Sequence, residues 1–225
     1  TALMYVYMGH LRFKDTKPYE DWFWKKNRIN LIQDRVTSID FNAKYLNLEN
    51  DSSPLAYDKL ILALGSSPNK FGWPGQDLIG VQGLYSLQNL EYIEEQTKNI
   101  RNAVIVGGGL IGIELAEMLH SRGIHVTFLV REKSYWDIVL PPEESAMINL
   151  EIQRNGIDLR LETELSEIIS DENGHCRAVK TNTGEIIEAQ FVGLTAGVHP
   201  NVNFLRNTRL QIEKGILVNS FLQTN

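Results

Sequence analysis

Ala103-Val-Ile-Val-Gly-Gly-Gly-Leu-Ile-Gly-Ile-Glu-Leu-Ala-Glu117 is the stretch whose reading decides the fold. Ala103 to Val106 is a short, apolar, mostly β-branched run, the pattern of a strand buried on both faces. Gly107, Gly109 and Gly112 follow in the order G-x-G-x-x-G, and Leu110 to His120 opens a helix. Gly107 permits the tight strand-to-helix turn. Gly109 lets the backbone approach a pyrophosphate, and Gly112 lets the helix pack close to the strand. The N–H groups and the positive dipole end of that helix then face the phosphates. The candidate cradle is therefore Gly107, Gly108, Gly109, Leu110, Ile111 and Gly112. Glycine patterns of this kind are common by themselves. Here a second strand, His125-Val-Thr-Phe-Leu-Val130, follows Gly123 and completes a βαβ unit. The stretch predicts a doubly wound, Rossmann-like domain that binds a dinucleotide.

The end of that second strand is where such units select the ribose, with an acid for NAD or an arginine for NADP. Counted from Gly107, the acid position falls at Val130, which cannot accept a hydroxyl. Arg131 and Lys133 follow and suit a 2′-phosphate, which favours NADPH. Glu132 stands between them and could still reach a ribose hydroxyl. A solvated strand-end loop is the plainer reading of Arg131 and Lys133.

Further along, Glu143 to Arg154 reads as a helix ended by Asn155-Gly156. Ile157 to Leu161, Leu165 to Ser170 and Phe191 to Thr195 read as strands. Cys176 to Thr181 and Glu185 to Ala189 flank Thr183-Gly184 as an antiparallel hairpin. Alternating strands and helices imply a parallel sheet with right-handed crossovers. Upstream, Ala2 to Leu11 reads as a helix end or a packed segment, and Pro18 to Lys26 as a helix carrying Trp22, Phe23 and Trp24. Those aromatics suit packing better than a stacking platform for a flavin. Ile29 to Ile32, Arg35 to Asp40 and Tyr45 to Glu49 read as short strands, Tyr57 to Leu64 as a buried one, Asn69 to Gly83 as loop and Leu87 to Gln96 as a helix.

Composition narrows the class. The 43% hydrophobic and 22% charged content is that of an ordinary globular chain. A net charge of −6 gives no basic patch for nucleic acid or an acidic membrane surface. No apolar run reaches the roughly 20 residues of a membrane span. The chain reads as a soluble, cytoplasmic enzyme. Cys176 is the single cysteine, so there is no internal disulfide and no C-x-x-C pair, and its place between a turn and a strand suits a structural thiol. His10, His120, His125, His175 and His199 have no acidic or histidine residue at metal-ligand spacing, so no metal site is expected.

Other segments carry a resemblance. Tyr57-Asp58 followed by Ile61-Leu-Ala-Leu-Gly-Ser-Ser-Pro68 is similar to the Y-D-x-L-x-x-A-T-G-S-x-P segment of FAD-dependent pyridine nucleotide–disulphide oxidoreductases, and Trp73-Pro74-Gly75 to the P-G turn after it. Phe191 to Pro200 resembles that family's later A-T-G-x-x-P segment. Gly107 to Glu114 resembles its G-G-G-x-I-G-x-E, and Gly215-Ile-Leu-Val-Asn219 its G-x-I-x-V-D. The NADH oxidase, nitrite reductase and ferredoxin reductase-like members look nearest.

The resemblance implies an oxidoreductase in which NAD(P)H reduces a bound FAD, which passes electrons to a second acceptor: oxygen, a disulphide, nitrite or an iron–sulfur protein. It implies that Glu114 lies near the nicotinamide, orienting rather than exchanging protons, because hydride transfer is cofactor chemistry. A favourable acid near a helix N-terminus is the plainer reading of Glu114. Gly197 is implied to pass close to the nicotinamide nucleotide, against a plain turn glycine, and Ala63 and Gly65 to lie on the flavin side. The family's first G-x-G-x-x-G and its G-D segment, both for FAD, have no counterpart here. The chain thus reads as an internal piece that does not retain FAD by itself. Its expected parts are 1–98 from a flavin domain, an inserted NAD(P) domain at 99–214, and the start of a return to the flavin domain at 215–225. A homodimer of the intact enzyme is left open. The competing class is a dinucleotide-binding sensor or docking module without redox chemistry.

Overall fold

The computed structural model describes residues 2–225. The first strands in chain order are β1 (Val36–Asp40), β2 (Tyr45–Leu48), β3 (Leu55–Ala56), β4 (Ser66–Pro68) and β5 (Val81–Gln82). They are followed by β6 (Asn102–Val106), β7 (His125–Leu129), β8 (Asp158–Arg160) and β9 (Leu165–Ser170). The last are β10 (Cys176–Thr181), β11 (Ile186–Glu188), β12 (Phe191–Leu194) and β13 (Val198–Pro200). The helices are α1 (Ala2–Tyr7), α2 (Asp21–Lys26), α3 (Leu87–Gln96), α4 (Leu110–Ser121) and α5 (Pro142–Arg154). Two compact units result: Thr1–Thr16 with Pro68–Val198, and Lys17–Ser67 with His199–Asn225.

The first unit is built on a five-stranded parallel sheet in the order β5-β12-β6-β7-β8. Its central strands are apolar on both faces, and the pleat sends alternate residues to opposite sides. Ala103, Ile105, Val126, Phe128 and Phe191 meet Leu90 and Ile93 of α3, Leu115, Met118 and Leu119 of α4, and Ile152 of α5. Val104, Val106, Leu129 and Val192 face the other way, onto Leu165, Ile168 and Val179. Those three belong to an antiparallel sheet, β11-β10-β9, whose hairpin was expected between Cys176 and Ala189. An antiparallel layer thus takes the place of the second set of helices in this Rossmann-like fold. β5 lies inside the expected 69–83 loop and pairs through two residues, Val81 with Val192 and Gln82 with Gly193, too few to register as a periodic pattern.

The ends of the helices follow from their residues. α3 starts in a capping box: Ser86 Oγ accepts from Asn89 N at 3.3 Å, and Asn89 Oδ1 accepts from Ser86 N at 3.0 Å. α5 starts at Pro142 with Glu143 and Glu144 in its first turn, and Gly156 follows it at φ 81°. α1 is held to α3 and α4 by Tyr7, whose hydroxyl is 2.7 Å from Thr97 Oγ1 and whose ring lies 3.5 Å from the Arg122 guanidinium.

In the second unit β1, β2 and β3 form an antiparallel sheet, with Asp40 Oδ1 accepting from the N–H of Asn42 and Ala43 at the first turn. Two expected strands are absent. Residues 57–64 are irregular, and Ile61 is 89% exposed. A buried strand exists through its ladder, and no described strand lies alongside to supply one. The carbonyls of Leu64 and Gly65 are instead taken singly by Asn201, through Nδ2 and N, both at 3.1 Å. Residues 29–32 are likewise irregular: Arg28 turns the chain at φ 59°, and Ile29 N closes onto Trp24 O after α2. β4 and β13 pair with each other.

Candidate dinucleotide site

The glycines of the β6–α4 turn have three different neighbourhoods. Gly107 sits at φ 115°, and a Cβ there would stand 2.8 Å from Ala196 N and from the carbonyl of Thr195. Both backbone conformation and space therefore demand glycine. A Cβ on Gly112 would stand 2.2 Å from Gly107 O and 3.0 Å from Phe128 Cε2, so α4 lies directly against the turn. Gly109 is the opposite: its φ of −94° suits any residue, and nothing lies within 4 Å of its missing Cβ. It is the N-cap of α4 and offers no side chain to cap it, while the helix's first bond comes only from Gly112 N to Gly109 O, at 3.0 Å. The N–H groups of Leu110 and Ile111 precede that bond and point out of the helix end. Thr195 Oγ1 braces the turn beneath, 2.9 Å from Val106 O and 3.2 Å from Gly107 O. The result is a rigid loop with one open face, the shape that admits a pyrophosphate.

Beyond β7 the side chains alternate. Val130 is fully buried, and its Cγ1 would meet a Gly108 Cβ at 2.9 Å, so it closes the floor of the loop. Arg131 turns outward, its side chain 73% exposed. Glu132 turns back, its side chain 26% exposed, with Oε2 3.6 Å from where a Gly108 Cβ would be. Arg131 Nε donates to Glu132 Oε1 at 2.7 Å, and this carboxylate raises the guanidinium pKa. The arginine offered by sequence to a 2′-phosphate is thus already bound to an acid. Lys133 is exposed.

Glu114 lies in the second turn of α4, partly buried. Beside it is a residue that sequence reasoning passes over. Tyr135 is buried, with its ring centroid 6.0 Å from Phe128 and 6.2 Å from Trp136, and its hydroxyl 3.4 Å from Gly109 O. Burial, and then the charge of Glu114, push that phenol up to about 12. The segment is fixed from α5: Asn149 Oδ1 accepts from Tyr135 N at 2.9 Å, and Asn149 Nδ2 donates to Ser134 Oγ at 2.7 Å. No periodicity marks Tyr135, and its signal is three-dimensional.

The remaining positions lie elsewhere. Gly197 sits at φ 84°, its carbonyl accepting from Asn69 N at 3.0 Å, a conformation that by itself calls for glycine. Ala63 and Gly65 lie exposed on irregular chain. Cys176 is buried against Gly80 O at 3.5 Å, and burial pushes its thiol up to about 12, far from a reactive thiolate. No helix among the described residues is long and apolar enough to cross a membrane.

This geometry agrees with comparison to known proteins: the family model described as pyridine nucleotide-disulphide oxidoreductase matches residues 12–225. The chain belongs to that family. Among its relatives is "Nitrite reductase [NAD(P)H]" of Bacillus subtilis, 28% identical over 221 residues, which cover 97% of this chain and 27% of the relative. "NADH-rubredoxin oxidoreductase" of Clostridium acetobutylicum is 29% identical over 205 residues, 91% of this chain and 49% of the relative. In structure, the chain resembles the ferredoxin reductase for the CYP199A2 system from Rhodopseudomonas palustris, with a TM-score of 0.90 and 25% identity over 99% of this chain and 55% of that one. The chain therefore spans between about a quarter and about a half of these relatives.

Proposed function

We propose that this chain is the NAD(P)H-holding part of a flavin-dependent oxidoreductase that passes electrons on to a separate acceptor. The observation that carries the reading is the contrast within the glycine loop: Gly107 and Gly112 are closed by backbone, and Gly109 is open at a helix N-terminus. The unit containing β6, α4 and most of residues 99–214 binds the dinucleotide, and the other unit belongs to the flavin side. Bound flavin would accept hydride from the nicotinamide. The residues of this chain orient that nicotinamide: backbone N–H groups at Leu110 and Ile111 hold the pyrophosphate, and Glu114 faces the nicotinamide end. The names of the relatives, which speak of nitrite, rubredoxin and ferredoxin, support an electron acceptor outside the dinucleotide site.

The favoured cofactor within this reading is NADH. Glu132 stands over Gly108 where a ribose hydroxyl would come, and its carboxylate would repel a 2′-phosphate while engaging Arg131. Calorimetric titration of the chain should give NADH about tenfold tighter binding than NADPH, the scale of one hydrogen bond to a charged group. Glu132→Gln should bring the two close to parity. Tighter binding of NADPH by the unaltered chain would refute the assignment. For the whole protein, a flavin absorbance band bleached by NADH is expected, and a colourless whole protein would remove the flavin reading.

A further inference from the structure

Glu132 stands where a well-anchored run of chain gives way to an irregular one. Upstream, Val130 N donates to Arg160 O at 2.9 Å, Thr163 N to Val130 O at 3.1 Å and Glu162 N to Glu132 O at 3.0 Å. These bonds fix the backbone as far as the Glu132 carbonyl. The side-chain partner of Glu132 is Arg131, itself 73% exposed, and a pair so open to water holds a carboxylate only weakly. Among the described residues, the next backbone group downstream to be bonded is Tyr135 N, and it donates to a side chain, Asn149 Oδ1, at 2.9 Å. Asn149 Nδ2 donates to Ser134 Oγ at 2.7 Å, so one amide holds two successive residues. Asn149 lies inside α5, four residues after Ser145 and three before Ile152, both buried. Asparagine is a poor residue for a helix interior, and these two bonds offset its place there. Beyond Tyr135 the chain turns at Trp136, φ 59°, a conformation unfavourable for a bulky side chain. Such a residue persists only while its surroundings over-determine it. Loss of the Asn149 clamp therefore gives the segment a reason to move, and not merely the freedom.

We propose that Asn149 is a positioning residue for nucleotide choice: by anchoring Ser134 and Tyr135 it holds the Glu132 carboxylate beside Gly108, where that carboxylate meets a ribose hydroxyl and opposes a 2′-phosphate. The proposal rests on the assignment of Glu132 to the ribose above. Glu132 Oε2 lies 3.6 Å from where a Gly108 Cβ would be, so it sits directly against the loop on which the nucleotide lies. A hydrogen bond from a ribose hydroxyl is lost with a displacement of about 1 Å, because the donor–acceptor window is narrow. Asn149 is uncharged, so its removal leaves the charge of the site as it was. Any change in the preference between NADH and NADPH must then come through the place of the carboxylate.

The test is calorimetry of the 225-residue chain with NADH and with NADPH, beside a thermal melt of each variant. Asn149→Ala removes both bonds of the clamp. The preference for NADH should fall from about tenfold to about threefold, through weaker NADH binding with no loss for NADPH. Ser134→Ala removes one of the two bonds and should give a preference between those values. In a Glu132→Gln background the preference is already near parity, and Asn149→Ala should leave it there, as coupled residues do. Equal weakening of both nucleotides by Asn149→Ala would make the residue a brace for α5 and overturn the proposal. An unchanged preference would overturn it too, as would a shift that persists in the Glu132→Gln background. Should Asn149→Ala melt below the working temperature, Ser134→Ala decides, and an unaltered preference in it overturns the proposal. A preference untouched by Glu132→Gln in the otherwise unaltered chain would instead remove Glu132 from the ribose, and this inference with it.

Discussion

Gly109→Val separates binding from folding more sharply than any other change in the loop. The new side chain enters space where no protein atom lies within 4 Å, and the backbone at φ −94° and ψ 178° is extended, which valine adopts readily. The cost to the fold is the poorer N-cap, about 1 kcal/mol, or a fall of about 2–4 °C in Tm for a chain of this size. The cost to binding is larger. The branched side chain fills the open face through which a pyrophosphate reaches the N–H groups of Leu110 and Ile111. Losing one charge-assisted hydrogen bond of about 1.5–3 kcal/mol weakens binding about 10- to 100-fold. Gly112→Ala is the control with the opposite signature. Its methyl group lands 2.2 Å from Gly107 O, a backbone atom that cannot rotate away. The overpacking should cost about 3 kcal/mol, so Tm should fall about 6–12 °C. Calorimetry with NADH and a thermal melt on both variants decide the matter. Gly109→Val binding NADH as well as the parent would refute the cradle. A loss of Tm in Gly109→Val equal to that in Gly112→Ala would refute the argument from empty space.

Two other outcomes follow from the same coordinates. Ser86→Ala removes the acceptor for Asn89 N and half of the α3 capping box, so a loss of about 1 kcal/mol and about 2–4 °C in Tm is expected, and an unchanged melt would deny the cap its role. Cys176 should react with iodoacetamide at pH 8 only as fast as the first unit opens, and rapid modification of the folded chain would show the thiol accessible after all. Because burial raises this acid's pKa from 9.0 to about 12, the folded state favours the neutral thiol. Its contribution to stability is whole below pH 9 and is lost as pH climbs toward 12, which denaturant melts across that window would register.

What could be read from sequence was whatever is enforced locally. Gly107 and Gly112 are legible because a tight turn and a close helix leave only one residue type, and the spacing between them is set by the helix itself. β6, β7 and β12 are legible because they are buried on both faces, so nearly every residue carries the signal. Residues 57–64 carry the same apolar signal and do not form a strand, because composition reports the wish to be buried and the ladder depends on a neighbour.

The ribose end of the site shows the same limit at the scale of one residue. Counting from Gly107 puts the acid position at Val130, whose Cγ1 lies against Gly108. Sequence then favours Arg131 and Lys133 for a 2′-phosphate, with Glu132 between them as the alternative for a ribose hydroxyl. The alternation past β7 ranks them. With Val130 inward, Arg131 must face solvent and Glu132 must return toward Gly108, and the 2.7 Å bond between them then occupies the cation with the anion. Tyr135, three residues after Glu132, is buried under Gly109 where the chain has left the extended path. The same run of chain thus places a carboxylate over the second glycine and a phenol under the third. Both groups hang on one segment, clamped at Asn149, so a change that frees this clamp should move the Glu132 carboxylate and the Tyr135 phenol together.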